Sequence, residues 1–129
     1  MIRFRAWHNT WEEMCEVKRI RFDDEGNITT VLVKGEAFGS NAHLEEIELM
    51  QSTGLKDKNG KEIFEKDILD YNGRKVIVKW HGSYACFIYE FVDELKNRTA
   101  EWQPLYLSYY KFEIVGNSLE NPELLEVTK

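Results

Sequence analysis

Few residues in this 129-residue chain can do chemistry, and their spacing limits what they can do. His81 and Cys86 flank a Gly82-Ser83 turn, so two strands joined there would set a thiol across from an imidazole. A cysteine nucleophile also needs a depressed pKa and a third group to orient its base, and nothing in the surrounding residues supplies these. Cys86, between Ala85 and Phe87, reads more simply as a small buried hydrophobe. His8, His43 and His81, with Cys15 and Cys86, are the candidate metal ligands, but no pair has the C-x-x-C or H-x-x-x-H spacing of a zinc site. Asp67 and Asp70 have opposite parity on a strand, so their carboxyls face apart. Glu45, Glu46 and Glu48 form a charge run of the solvated kind. There is no glycine-rich phosphate loop and no Gly-x-Ser-x-Gly elbow. The expectation is a protein without catalytic residues, metal or cofactor, and not an enzyme.

Two binding chemistries remain. Arg74, Lys75 and Lys79 lie near Tyr71, Trp80 and Tyr84, which puts cations beside aromatic platforms as in small barrels that bind single-stranded nucleic acid. Arg3, Arg5, Arg19 and Arg21 make a second basic patch. Two facts oppose this alternative. Trp80 shares strand parity with Val76 and Val78, which points it inward. The formal net charge is −6, and residues 23–50 carry one lysine against seven carboxylates. An acidic surface repels phosphate backbones. The other chemistry is protein contact. Four Trp, six Tyr and seven Phe exceed what one small core would enclose. Tyr106, Tyr109 and Tyr110 lie close together and Trp102 precedes Pro104, which makes these four a candidate interaction surface, since Tyr and Trp favour interfaces because each joins an apolar body to a polar tip. The expected partner is therefore an unidentified protein or a second copy of the chain, with nucleic acid disfavoured.

The elements that must position these residues are mostly strands. Ile2–Ala6 alternates apolar with basic, the period of a half-buried strand. Met14–Phe22 alternates imperfectly, and a bulge near Lys18-Arg19 reconciles its two phases. Asp23-Asp24-Glu25-Gly26-Asn27 turns the chain into Ile28–Val33, so residues 14–33 form a hairpin. Gly35–Asn41 reads as loop, and Leu44–Gln51 fits helix and strand alike. Turns at Ser52-Thr53-Gly54 and Asp57-Lys58-Asn59-Gly60 set a boundary between an N-terminal β-rich lobe (1–50) and a C-terminal lobe (51–129), folded separately or around one core. Beyond it come strands at Asp67–Tyr71, Arg74–Trp80, Tyr84–Phe91 and Lys111–Val115. The first two are joined by Asn72-Gly73, the strongest short hairpin signal. Residues 93–103, with Asp93, Glu94, Lys96, Asn97 and Arg98, read as a long loop or short helix. Pro122 makes Asn121 extended. The fold class is mainly β with minor α, an N-terminal hairpin lobe plus a small SH3-like antiparallel barrel, since closure would remove exposed edges. No run of about 18 apolar residues is present to span a membrane, and Met1-Ile2-Arg3-Phe4-Arg5 does not open a secretory signal. Cys15 and Cys86 are then expected as free thiols in a reducing cytosol.

Leu49–Asp67 reads Leu-Met-Gln-Ser-Thr-Gly-Leu-Lys-Asp-Lys-Asn-Gly-Lys-Glu-Ile-Phe-Glu-Lys-Asp, and Ile114–Leu125 reads Ile-Val-Gly-Asn-Ser-Leu-Glu-Asn-Pro-Glu-Leu-Leu. With the start Ile2-Arg3-Phe4-Arg5-Ala6-Trp7, these motifs resemble the YopX-like family over nearly the whole chain. The resemblance implies a β-rich phage- or prophage-encoded accessory protein in a bacterial cytoplasm, with no catalytic residues to carry over. The family often has Glu-Gly-Asp where this chain has Glu65-Lys66-Asp67. Lysine takes a positive φ less readily than glycine, so the backbone at residue 66 becomes a point to inspect. The first motif has its own physical reading as a structural elbow. Gly54 and Gly60 suit positive-φ turns, Asp57 and Asn59 suit Asx turns, Asp67 can cap a turn, and one of Ile63 and Phe64 must reach the core.

Overall fold

The computed structural model describes residues 3–95 and 101–126. The chain divides into two compact units at Gln51 and Ser52.

The first unit is an antiparallel sheet of β1 (Phe4–His8), β2 (Glu13–Phe22), β3 (Ile28–Lys34), β4 (Gly39–Ala42) and the first half of β5 (Ile47–Lys56), in the order β4-β3-β2-β1-β5. Alternation builds it as the sequence requires. In β1, Ala6 and His8 share a parity and are buried. In β2 the register slips between Val17 and Arg19, at the expected bulge, which lets Cys15, Val17 and Ile20 all reach the core despite their mixed parity. Between β2 and β3, Asp23 Oδ1 accepts the N–H groups of Glu25 and Asn27 at 2.9 Å each. Ala6, Cys15, Val31, Val33, Ala42 and Ile47 form the core. One reading is corrected and one open reading is settled. Gly39–Ala42 is a strand rather than loop, paired in unbroken register with β3. The ambiguous Leu44–Gln51 resolves into a 3₁₀ turn (Leu44–Glu46) followed by β5.

In the second unit, the end of β5 pairs with β6 (Glu62–Phe64). A five-stranded antiparallel sheet follows, of β7 (Asp67–Tyr71), β8 (Arg74–His81), β9 (Cys86–Phe91), β10 (Trp102–Pro104) and β11 (Glu113–Asn117), in the order β10-β9-β8-β7-β11. Asn72 (φ +52°) and Gly73 (φ +88°) make the positive-φ turn between β7 and β8. Ile63, Leu69, Val76, Val78, Tyr89, Leu105 and Phe112 form the core.

The class is mainly β, as expected, but among the described residues this sheet is open rather than a closed barrel. Its edges are β10 and β11. β10 is three residues long and ends on Pro104, which has no N–H to extend a ladder. The chain then enters 3₁₀ helices (Leu105–Leu107 and Tyr109–Lys111), which insert Leu105 into the core. The helical residues described, including Val92–Glu94 and Pro122–Leu125, are all 3₁₀ and none α. The polar stretch 93–103 becomes the end of a 3₁₀ helix and the start of β10, while Lys96, Asn97 and Arg98 lie outside the described residues. The Tyr84–Phe91 strand begins only at Cys86, because Ala85 has φ +50° and breaks the extended run. The last strand runs two residues later than expected and carries a bulge between Ile114 and Gly116. Asn121 has ψ 54°, so it is a helix-entry residue rather than extended, with Pro122 opening the helix.

Candidate functional site

The elbow between β5 and β7 has the expected turn chemistry. Asp57 is 5% exposed. Its Oδ1 accepts the N–H groups of Asn59 and Lys61 at 2.9 Å each, and its Oδ2 accepts that of Ile114 at 3.0 Å. One carboxylate thus closes the turn and ties it to β11. Burial pushes this carboxyl up, but the N–H groups of Ile114, Lys61 and Asn59 and the nearby Lys61 charge outweigh it and hold it below its ordinary value. Asp67 is buried and accepts the Phe64 N–H at 2.8 Å, which caps the turn. Gly60 has positive φ in its turn, but the turn expected at Ser52-Thr53-Gly54 is corrected: these residues lie inside β5, where the positive φ of Gly54 falls at a register shift against β6. Ile63 is the member of its pair that is fully buried. Lys66 sits at φ +68°, so the turn is left-handed despite lacking glycine. All of these groups are occupied in holding the backbone.

The exposed chemistry lies at the far end of the β8–β9 hairpin. The last β7–β8 pair is Ile68 opposite Ile77. Beyond Val78, the only strand beside β8 among the described residues is β9, through Lys79–Ile88, Trp80–Phe87 and His81–Cys86. The inward position expected for Trp80 is corrected here. The residue does share the face of Val76 and Val78, but the strand outruns the layer that covers them, and the indole is 48% exposed, edge-on to Phe87 at 5.0 Å. The opposite face carries a triangle of rings. His81 lies 4.7 Å from Trp102 and 5.0 Å from Tyr84, and Tyr84 lies 5.0 Å from Trp102. Tyr84, in the turn, is 67% exposed. Trp80 also walls a groove of about 610 Å³ with Ile77, Val78 and Leu125, to which Lys66 and Lys79 add charge.

His81 and Cys86 are therefore direct cross-strand neighbours, as the turn implies. No hydrogen-bond partner reaches the buried His81 Nδ1 among the described residues. Both cysteines are free thiols. Burial, then the Glu13 charge, push the Cys15 thiol up. His8 is stacked on Trp11 at 3.9 Å and accepts the Trp11 N–H at Nδ1. Among the described residues no three His, Cys, Asp or Glu side chains converge on a metal position.

The sequence groups Trp102, Tyr106, Tyr109 and Tyr110, and the structure divides them. Trp102 joins the ring triangle. Tyr109 is half-buried against the core and edge-on to Tyr110. Tyr106, Leu107 and Tyr110 are exposed on successive 3₁₀ helices. Trp80, His81 and Tyr84 are missing from that group, and only the length of β8 relative to β7 would reveal them.

The basic trio is also divided. Parity on β8 sends Arg74 to one face and Lys75 and Lys79 to the other. Arg74 forks onto Asp93 (Nη2 to Oδ1 3.0 Å, Nε to Oδ2 3.3 Å) and lies over the Phe91 ring. The hydrogen bond to Asp93 raises its pKa further. Lys79 Nζ pairs with Glu90 Oε2 at 3.1 Å. Lys75 lines a cleft with Asp93, Glu123 and Glu126.

Among the described residues no helix is long and apolar enough to cross a membrane. No curated protein matches the chain. The crystal structure of protein EF1440 from Enterococcus faecalis is similar to it at 32% identity and a TM-score of 0.67, covering 98% of this chain and 99% of that one. A family model described as YopX protein matches residues 3–126, which takes in the elbow motif and all the strands described above. The chain belongs to the YopX protein family.

Proposed function

We propose that this is a non-enzymatic accessory protein, of phage or prophage origin, that acts by binding a protein partner or a second copy of itself. The observation that carries the reading is the aromatic end of the β8–β9 hairpin. Trp80 stands exposed on one face there, edge-on to Phe87, and Tyr84 on the other, packed on His81 and Trp102. Rigid aromatic anchors on a fixed strand end lose little entropy on binding and bury a large area, which is why such residues dominate interface energetics. Ala85 holds its left-handed backbone beside them, a strained conformation of the kind that gathers at binding sites. On β8, Arg74 and Lys79 are engaged by Asp93 and Glu90, which weighs against a nucleic-acid ligand.

The test is the double substitution Trp80→Ala and Tyr84→Ala. Light scattering of the purified protein, together with affinity capture from its host, should show an oligomer or a retained partner for the wild type. The double variant should lose it with its thermal transition intact, because neither residue belongs to the core. A strictly monomeric wild type that retains nothing would end the proposal.

A further inference from the structure

The outer edge of the first unit's sheet offers a second, chemically distinct surface. Among the described residues β4 is the terminal strand and pairs only with β3. The Gly35 N–H donates to the Phe38 carbonyl at 2.8 Å, which fixes the alternation of the ladder. Val33–Ser40 and Val31–Ala42 are then the pairs that exchange hydrogen bonds. Gly39 and Asn41 turn their N–H and C=O groups outward, and both residues are exposed. Natural sheets blunt such edges with lysine, proline or a bulge. The edge Gly39-Ser40-Asn41-Ala42 is short, at four residues, but it carries no lysine, proline or bulge, and its register is unbroken. Exposed apolar side chains stand at both ends, Phe38 (69%) and Leu44 (43%).

Charge selects the occupant. Lys34 lies opposite Gly39 on β3, but Glu36 lies in the loop that enters β4 and Glu45 and Glu46 in the 3₁₀ turn that leaves it, so carboxylates outnumber cations along this edge. A second copy adding its own β4 would set these carboxylates against their equivalents, and a nucleic acid would be repelled. We infer that the β4 edge accepts an extended lysine- or arginine-bearing segment of a partner protein as an added strand, with main-chain bonds to Gly39 and Asn41 and apolar contacts at Phe38 and Leu44. This surface belongs to the other compact unit and uses none of the aromatic hairpin's residues, so either proposal can fail alone.

The test is a titration of the isotope-labelled full chain with a short alternating Thr–Lys peptide, with an alternating Thr–Glu peptide as control, followed by amide NMR. Shifts should centre on Phe38–Leu44, and exchange at the Gly39 and Asn41 amides should slow. Added salt should weaken binding, and the Thr–Glu peptide should leave the spectrum unchanged. Asn41→Pro removes one outward donor at an edge position where proline is tolerated, and should lower affinity roughly tenfold. The double reversal Glu36→Lys and Glu45→Lys leaves the strand intact and should abolish binding by charge alone. No binding of the Thr–Lys peptide at low salt, shifts centred elsewhere, equal binding of the two peptides, or full affinity in the charge-reversed variant would each overturn the inference.

Discussion

At the residue scale, two side chains carry more structural weight than their neighbours. Lys66 is held at φ +68°, where a β-carbon crowds the following carbonyl. The turn is fixed by main-chain bonds on both sides, from the Lys66 N–H to the Val78 carbonyl and from the Ser118 N–H to the Lys66 carbonyl. The backbone therefore cannot relax into the helical or extended region. Lys66→Gly should stabilise the protein by about 1 kcal/mol, the relief of the left-handed penalty less the extra entropy of glycine in the unfolded chain. A rise of a few degrees in the thermal midpoint would register it, and a fall would mean that the lysine's own contacts outweigh the strain. Asp57 has the opposite character. Its carboxylate serves three N–H groups, one of them on a distant strand, so Asp57→Ala orphans them together and should cost about 2–4 kcal/mol. Its folded pKa is depressed, so the stability it supplies is fully present above the unfolded carboxylate value and is lost as pH falls through the lower folded one. Urea midpoints measured from neutral pH down into the acid range should therefore fall less steeply in Asp57→Ala than in the wild type.

At the scale of elements, what can be read from the sequence is local chemistry, and what cannot is set by a neighbour. The bulge in β2 shows itself because Cys15, Val17 and Ile20 could not face one core without it. Asn72-Gly73 is a positive-φ turn whatever surrounds it. β4 and β10 are invisible for the converse reason. Gly39-Ser40-Asn41-Ala42 has the composition of a turn and becomes a strand only because β3 offers it a ladder. Trp102-Gln103-Pro104 is short and ends in a residue that argues against strand, a restriction lifted at a sheet edge. Trp80 is the instructive case. The alternation gives its parity and not its burial, because parity is a property of β8 alone while burial depends on where β7 stops. The same dependence hides the candidate site, since the ring triangle joins residues from β8, the turn and β10. Closure into a barrel follows from a count of short strands, and helical turns after Pro104 take the place of the missing ladder.

At the scale of the whole molecule, the distribution of charge decides which large partners are admissible. The chain carries a formal −6. The cations that best resemble a nucleic-acid site are split between the two faces of β8, and Arg74 and Lys79 are already engaged by Asp93 and Glu90. Binding a phosphate backbone would require breaking those pairs while approaching a negative surface, and the release of counterions that drives such binding scales with the number of cations free to engage. A labelled single-stranded oligonucleotide should therefore show no anisotropy change with the wild type at physiological salt. In the double variant Glu90→Gln and Asp93→Asn, Arg74 and Lys79 are released and two negative charges are removed. Any affinity that emerges should be weak and should fall with salt at a log–log slope of only about −0.7 for each phosphate neutralised. Because the two cations stand on opposite faces, one strand can engage only one of them, so the slope should correspond to a single phosphate. Tight binding by the unmodified chain with a steep salt dependence would show that a basic surface elsewhere, such as Arg19 and Arg21 exposed on β2, governs the field instead.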